Sequence, residues 1–429
     1  MIPHLLGVFM RTVLINCGPI VHVDSNEPIV GHDMEDEKWL LPKGKAIIIH
    51  GNEITAIRNS DETLDDYESH NSAEVKIIDI DGKAIIPGLI DSHTHMVWGG
   101  DRSREVRWKQ QGHTYSDIAK MGGGIASTVN STKSLSQTEL FDISKHRLLK
   151  SLRNGTTHVE TKSGYGLDTR SEIKLLKVAK MLADDYMTPS VDSTWLGAHA
   201  VPDNHTLKSY TEEIISDQLP LVAETKLARS ADVFCEPGWF GIDEYEQILN
   251  SAKSYGMNLR MHIDEFSDGG GGELAAELKV DTADHSHYTS KENRTKMSQA
   301  GVNTGFLPGT PYSMGSNWPD FNSMIENKHL WTIATDFNPN NQILSLPFVA
   351  SCIVQRCGVD PLAALVASTI NPSFTTPHPS GKRHGVISPG AVANLNILSS
   401  PHWESWCLTP GDSPVSANIL NGKYNNYEY

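Results

Sequence analysis

Two histidines one residue apart, His93 and His95, close the apolar run Ile86-Pro-Gly-Leu-Ile-Asp-Ser-His-Thr-His95. In a strand, residues i and i+2 share a face, so both imidazoles leave the strand end in one direction. Two convergent imidazoles are half the donor set that a borderline cation such as zinc takes. An HxH pair alone is a weak signal in a chain of 429 residues with 19 histidines. What decides its meaning is which other groups the fold brings to it. Pro87-Gly88 just before the pair reads as a chain entering a barrel from outside.

The elements that could do so follow in order. Seven further short β-type runs succeed the first (89–95): 156–160, 193–199, 231–236, 258–264, 282–287, 302–308 and 332–336. Helical stretches separate most of them. In 171–184, Ile173, Leu175, Leu176, Val178, Ala179 and Leu182 recur with a helical period. Eight such alternations predict a (β/α)8 TIM barrel, whose active site lies at the C-terminal strand ends. Those ends carry His93 and His95 on run one, His199 on run three, and His262 with Asp264 and Glu265 on run five. Run six ends in Asp284, His285 and His287, and run eight in Asp336. Histidines that merely fill a core would scatter along the strands; these gather at one end.

Imidazoles plus a carboxylate form a mixed nitrogen and oxygen site suited to Zn²⁺ and acceptable to iron. A catalytic ion of this kind brings the pKa of water toward about 7. Asp336 is placed to bind it, to take the water proton, or both. Glu265, three residues past His262, is placed to hand a proton to a leaving nitrogen.

Outside the barrel, residues 11–80 read as short strands (12–15, 46–49, 54–57, 75–80) separated by Gly51-Asn52 and Asp81-Gly82 turns. The polar, acidic segment 24–43 reads as a surface excursion. β-rich sequence returns after Asn371-Pro372, so the expected division is a β-sandwich domain from 1–84 and 377–429 around a barrel of 85–376. The net charge of −16, from 36 Lys and Arg against 52 Asp and Glu, argues against a nucleic-acid or anionic-membrane partner. No apolar run of about 18 residues is present for a membrane span. Five cysteines, an odd number with no CxxC, predict reduced thiols in a cytoplasm. Met1 to Met10 is apolar but has neither a basic start nor a cleavage site for a secretory leader.

The HxH after Pro-Gly-Leu-Ile-Asp, a later His and a late Asp resemble the amidohydrolase superfamily. The resemblance is closer to its imidazolonepropionase family. It is carried by Gly99-Gly-Asp-Arg102, Gln111-Gly-His-Thr-Tyr115, Gly122-Gly-Gly-Ile125, Lys162-Ser-Gly-Tyr-Gly-Leu167 and Thr194-Trp-Leu-Gly-Ala-His199. His262-Ile-Asp-Glu-Phe266, Ala283-Asp-His285 and Ala334-Thr-Asp-Phe-Asn-Pro339 complete it. It spans most of residues 80–400. It implies ring opening of 4-imidazolone-5-propanoate to N-formimidoyl-L-glutamate, with a small anionic substrate and a homodimer. His93, His95, His262 and Asp336 would hold one Zn²⁺ or Fe³⁺. Glu265 and His285 would serve the water and the ring nitrogen. Arg102, Tyr115, Tyr165, His199, Asn338, Asn340 and Asn341 would contact the substrate. An arginine suits a carboxylate tail because it can bind it with two parallel hydrogen bonds. The chain departs from the family at Asn338-Pro-Asn340-Asn341, where Gly and a small hydroxyl residue usually follow Pro. It also has Ala393-Asn394 where Ala-Asp is usual. The alternatives are a related amidohydrolase acting on another cyclic amide or amidine, such as a deaminase, and a catalytically dead scaffold. The intact set of His, Asp and Glu speaks against the scaffold.

Overall fold

The computed structural model describes residues 11–67, 75–236 and 239–427, with the side chains of Tyr115 and Ser116 left out. The N-terminal segment judged above for a leader lies outside the described residues. Eight parallel strands run in chain order around one sheet: β1 Leu89–Thr94, β2 Thr156–Lys162, β3 Ser190–Ala198, β4 Ser230–Cys235, β5 Asn258–Ile263, β6 Thr282–His285, β7 Asn303–Phe306 and β8 Trp331–Ile333. Every one overlaps an expected run. All but β3 and β5 are buried at every position, as parallel strands covered on both faces must be. Helices Gln137–Arg153, Thr169–Ala183, Ile242–Ser254, Gly271–Leu278, Lys291–Ala300 and Leu346–Cys357 cover the outside. The first starts at a capping box of Ser136 and Glu139, the second at Asp168, whose carboxylate accepts from the Ser171 amide.

The sheet closes just beyond β8. The Asp336 amide donates to the His93 carbonyl (3.1 Å) and the His95 amide to the Phe337 carbonyl (2.8 Å). Below them, buried Asp91 on β1 accepts from the Thr335 amide (2.9 Å) and hydroxyl (2.6 Å). The first and last strands are thus stitched at the level where His93, His95 and Asp336 leave the backbone.

Two further sheets come from both ends of the chain. One has the order Glu53–Asn59, Lys45–His50, Arg11–Cys17, Val75–Asp79; the other Lys423–Asn426, Val415–Leu420, Leu395–Leu398, Ile85–Pro87, Ile20–Val21, Leu40–Leu41. Leu14, Ile47, Ile49, Ile85, Leu395 and Ile419 share the core between them. Ile85–Pro87, on the barrel side of the expected boundary, is hydrogen-bonded into this second sheet. Gly88 then carries the chain into β1. A Cβ there would lie 2.2 Å from the Thr157 hydroxyl, so only glycine fits between the two sheets.

Segment 24–43 is more than a surface excursion. Ile29 and Met34 are buried in the core under the barrel helices, and the Asn371 amide bonds both the amide and the carbonyl of Ile29 (2.9 Å each). Its acidic composition hides two apolar anchors. All five cysteines are free. Among the described residues no helix is long and apolar enough to cross a membrane.

The connection from barrel to outer sheets carries a second histidine cluster. The His384 ring lies 4.8 Å from that of His158 on β2 and 5.5 Å from that of His378. Burial pulls His378 down to about 4 and His384 to about 3, so both are neutral in the fold. Unfolded, each has an ordinary pKa near 6.5. Between those values the unfolded chain binds more protons, so stability is full above pH 6.5 and falls as pH drops toward 4. Urea midpoints should record a loss approaching about 1.4 kcal/mol per pH unit for each group. The His378→Gln/His384→Gln variant should flatten that slope.

Candidate metal centre and active site

Four strand ends meet over the closure of the barrel. The ring of His93 lies 5.6 Å from His95, 4.4 Å from His262 on β5 and 5.7 Å from His285 on β6. Asp336 Oδ1 sits 3.7 Å from His93 Nε2 and 3.8 Å from His95 Nε2. Two groups therefore share His93 and have their donor atoms mutually within 4.8 Å: His93, His95 and Asp336, and His93, His262 and His285. All five are buried.

The protonation of the rings follows from what lies behind them. His93 Nδ1 is 2.7 Å from Asp284 Oδ2, and His262 Nδ1 is 3.0 Å from Asp232 Oδ1. Carboxylates only accept, so each Nδ1 carries the proton and each Nε2 turns a lone pair into the centre. His93 Nε2, His95 Nδ1 and His262 Nε2 are buried without a hydrogen-bond partner. Buried nitrogens are otherwise partnered, and the orphaned Nε2 atoms of His93 and His262, on the ring sides away from Asp284 and Asp232, fit a cation. Burial drives His93, His95 and His285 well below their ordinary pKa, with neighbouring imidazoles adding to it; neutral imidazole is the form that binds metal. Asp336 Oδ2 accepts from the Thr310 hydroxyl (3.2 Å), which leaves Oδ1 toward the histidines. Its carboxyl is raised by burial to about 6. The donor set, the orphaned nitrogens and the carboxylates behind the rings all fit a metal ion.

Behind His262 runs a chain of buried charges. Lys162 Nζ lies 2.9 Å from Asp232 Oδ2 and 2.9 Å from both oxygens of Glu160, all without solvent exposure. Burial alone would raise the Asp232 carboxyl, yet His262 and Lys162 hold it well below the carboxylate range. None of these three stood out in the sequence as a site residue. The available signal was a charge inside an otherwise apolar strand, since such groups are buried only when paired.

A cavity of about 100 Å³ opens over the centre, lined by His95, Arg102, Tyr165, His199, Phe234, His262, Glu265, His285, Asp336, Asn338 and Asn340, with Ile125 at its side. Glu265 Oε2 is 3.5 Å from His285 Nε2. Burial, then Asp336 and Glu236, raise the Glu265 carboxyl well above its ordinary value. Glu236 Oε1 accepts from the Glu265 amide and from the Phe266 amide (3.3 Å). His199 Nδ1 donates to the Gly164 carbonyl (2.9 Å), and its ring stacks 5.5 Å from that of His95 and meets that of Tyr165 edge-on at 5.1 Å. Arg102 Nε and Nη2 donate to Glu105 (2.8 and 2.7 Å), which fixes the guanidinium plane on the cavity wall. Asp264, His285 and Asp336 all have left-handed backbone (φ 49, 64 and 50), a conformation that costs non-glycine residues energy and gathers at functional sites.

Two expected substrate residues, Asn338 and Asn341, have side chains bonded within their own loop. Asn338 Oδ1 accepts from the amides of Asn340 (2.8 Å) and Asn341 (2.9 Å), and its Nδ2 donates to the Asp336 carbonyl (2.9 Å). Asn341 is buried and donates to the carbonyls of Thr335 and Asp336 (3.0 and 3.2 Å); it does not line the cavity. Asn340 accepts from Lys109. Tyr115 opens the helix Tyr115–Lys120, and its side chain is not described.

Fold and site together define a metal-dependent hydrolase on a (β/α)8 barrel. Residues 84–423 match the amidohydrolase family. The chain is 38% identical to the imidazolonepropionase of Geobacillus kaustophilus (strain HTA426) over 404 residues, 93% of each chain. It is 35% identical to the probable imidazolonepropionase of Xenopus tropicalis over 397 residues, covering 89% and 91% of the two chains. Solved structures share the fold at lower identity. E. coli guanine deaminase has a TM-score of 0.68 at 12% identity, over 98% of this chain and all of that one. An adenosine deaminase from Xanthomonas campestris with bound zinc has 0.65 at 16%, over 97% and 92%. The chain belongs to the amidohydrolase family and, within it, to the imidazolonepropionases. That membership and the His/Asp cluster support a metal cofactor.

The charge chain behind His262 makes a measurable claim. Lys162→Met leaves Glu160 and Asp232 buried without their cation, which costs about 3–5 kcal/mol. Urea unfolding should show that loss, and metal analysis a lower content. Glu160→Gln added to Lys162→Met should recover part of the stability; a single variant as stable as the parent would refute the chain's structural role.

Proposed function

We propose that the protein hydrolyses 4-imidazolone-5-propanoate to N-formimidoyl-L-glutamate at this site. One zinc or iron ion would be held by His93, His95, His262 and Asp336. The observation that carries the reading is the convergence, on one cavity, of the His/Asp cluster, the Glu265–His285 pair and Arg102. The names of the relatives agree with it. A cytoplasmic homodimer belongs to the same proposal and rests on the resemblance.

The reaction adds one water across the ring bond between the carbonyl carbon and nitrogen. The carbon becomes the new carboxylate, and the nitrogen leaves with a proton as part of the formimidoyl group. A bound ion of this kind acidifies water and polarises a carbonyl. The remaining work falls to side chains. Glu265 takes a proton from water and returns it to the departing nitrogen, so the group ends as it began. His285, 3.5 Å away, orients that carboxyl. Arg102, held in plane by Glu105, binds the propionate. Tyr165 and His199 form the side of the cavity against which the ring lies.

A direct assay tests the whole reading: purified, metal-loaded protein should consume imidazolonepropionate and form formimidoylglutamate. Failure to do so, with ammonia released from a purine or pyrimidine instead, would transfer it to the deaminases. Glu265→Gln should keep its metal and lose turnover by roughly 10²–10⁴-fold; retained turnover would remove the proton-transfer role. Arg102→Ala should act mainly on KM. Charge-assisted hydrogen bonds contribute about 1.5–3 kcal/mol, which is roughly 10- to 100-fold. An unchanged KM would place the propionate elsewhere.

A further inference from the structure

A second and larger cavity lies apart from this site, on the flank where the barrel closes. It has a volume of about 800 Å³, between helix Gln137–Arg153 and the segment that follows β8. Its apolar wall is Trp98, Phe337 and Leu344. Its basic wall is His146, Arg147, Lys150 and Arg153, with Asp142 the acidic member and Asn154 and Gln342 contributing amides. The basic residues belong to one helical face, spaced 146, 147, 150 and 153, as i, i+3 and i+4 neighbours are. This occurs in a chain of net charge −16, where most cations could find a carboxylate.

Arg147 is the key group. Its Nη1 donates to the Met96 and Trp98 carbonyls (2.8 and 2.9 Å), and its guanidinium lies 3.5 Å from the centre of the Trp98 ring. Among the described residues no carboxylate pairs with it, nor with Lys150 or Arg153. Burial pulls its pKa down to about 9; the two carbonyls and the Trp98 and Phe337 rings (3.5 and 5.6 Å) hold the guanidinium in place but bring it no countercharge. A volume of 300–1,000 Å³ with an apolar wall and a few convergent polar groups is the anatomy of a small-molecule pocket. An oxyanion would supply the missing charge, and arginine offers planar donors for it.

We propose that this cavity binds an organic polyanion, a phosphate ester or a polycarboxylate. Its charged groups would lie on the 146–153 face and its carbon skeleton against Phe337 and Leu344. The ligand is distinct from the substrate, and the site does not depend on the reading of the active centre.

Isothermal titration of the metal-loaded protein with citrate, AMP and adenosine tests it, with tryptophan fluorescence as the second readout. Citrate or AMP should saturate with a Kd below about 1 mM, and whichever does so names the source of the anion. Adenosine, which lacks the charge, should not saturate. Lys150→Glu/Arg153→Glu changes exposed residues and leaves the Arg147 bonds in place. It should weaken binding by at least about tenfold while hydrolysis proceeds at the parent rate. No saturation by either anion, adenosine binding as tightly as AMP, or undiminished binding by the double variant would overturn the proposal.

Discussion

The hydrogen bond from the Asp336 amide to the His93 carbonyl joins two problems that a barrel enzyme must solve. One is geometric: the eighth strand must find the first, across nearly 250 residues of intervening chain. The other is chemical: a carboxylate must stand beside two imidazoles that the chain supplied long before it. Here a single register solves both. Asp91 beneath, bonded to both polar groups of Thr335, locks that register, because a shift by one residue would turn every side chain to the opposite face. The candidate metal centre is therefore a property of closure. Loss of the seam would scatter the ligands even if each strand survived.

Closure brings together polar groups and strips them of water. Five buried polar side chains within a few ångströms would be costly unless each were satisfied. The chain satisfies the outer side of two of the rings. Asp284 and Asp232 anchor the Nδ1 atoms of His93 and His262, and Lys162 with Glu160 balances Asp232 in turn. The inward nitrogens stay orphaned. The energy of that frustration is what a cation would relieve, so the same burial that destabilises the bare site favours its occupation. The left-handed backbone at His285 and Asp336 belongs to the same strained rim.

Much of this was legible in the residues, for a physical reason. Strands buried on both faces are apolar over most of their length, so they stand out against charged helices, and the polar residues gathered at their ends mark the rim of the site. What escaped were features whose meaning lies in contacts distant along the chain. Strand β3 begins at Ser190 rather than 193 because Asp192 interrupts the apolar pattern; its charge is met by Arg229, thirty-seven residues on. Lys162 and Asp232 likewise look like errors in a strand until the barrel sets them 2.9 Å apart. Segment 24–43 has a surface composition, yet Ile29 and Met34 bury because Asn371, far along the chain, offers its amide to Ile29.

The departure at Asn338-Pro-Asn340-Asn341 shows where composition misleads about function. Asn in place of Gly suggests a demand for left-handed backbone, but Asn340 is not among the residues with positive φ. The loop does not need glycine there. Asn338 holds it instead, by taking the two following amides on one oxygen, while Asn341 ties it to the carbonyls flanking Asp336. Asn338 and Asn341 thus brace the backbone of Asp336, while Asn340 reaches across to Lys109; Asn338 and Asn340 also line the cavity. Most of the rest of the cavity wall is made by the imidazoles of His95, His199, His262 and His285 with Glu265, Arg102 and Tyr165, so the loop meets the cavity only at its edge.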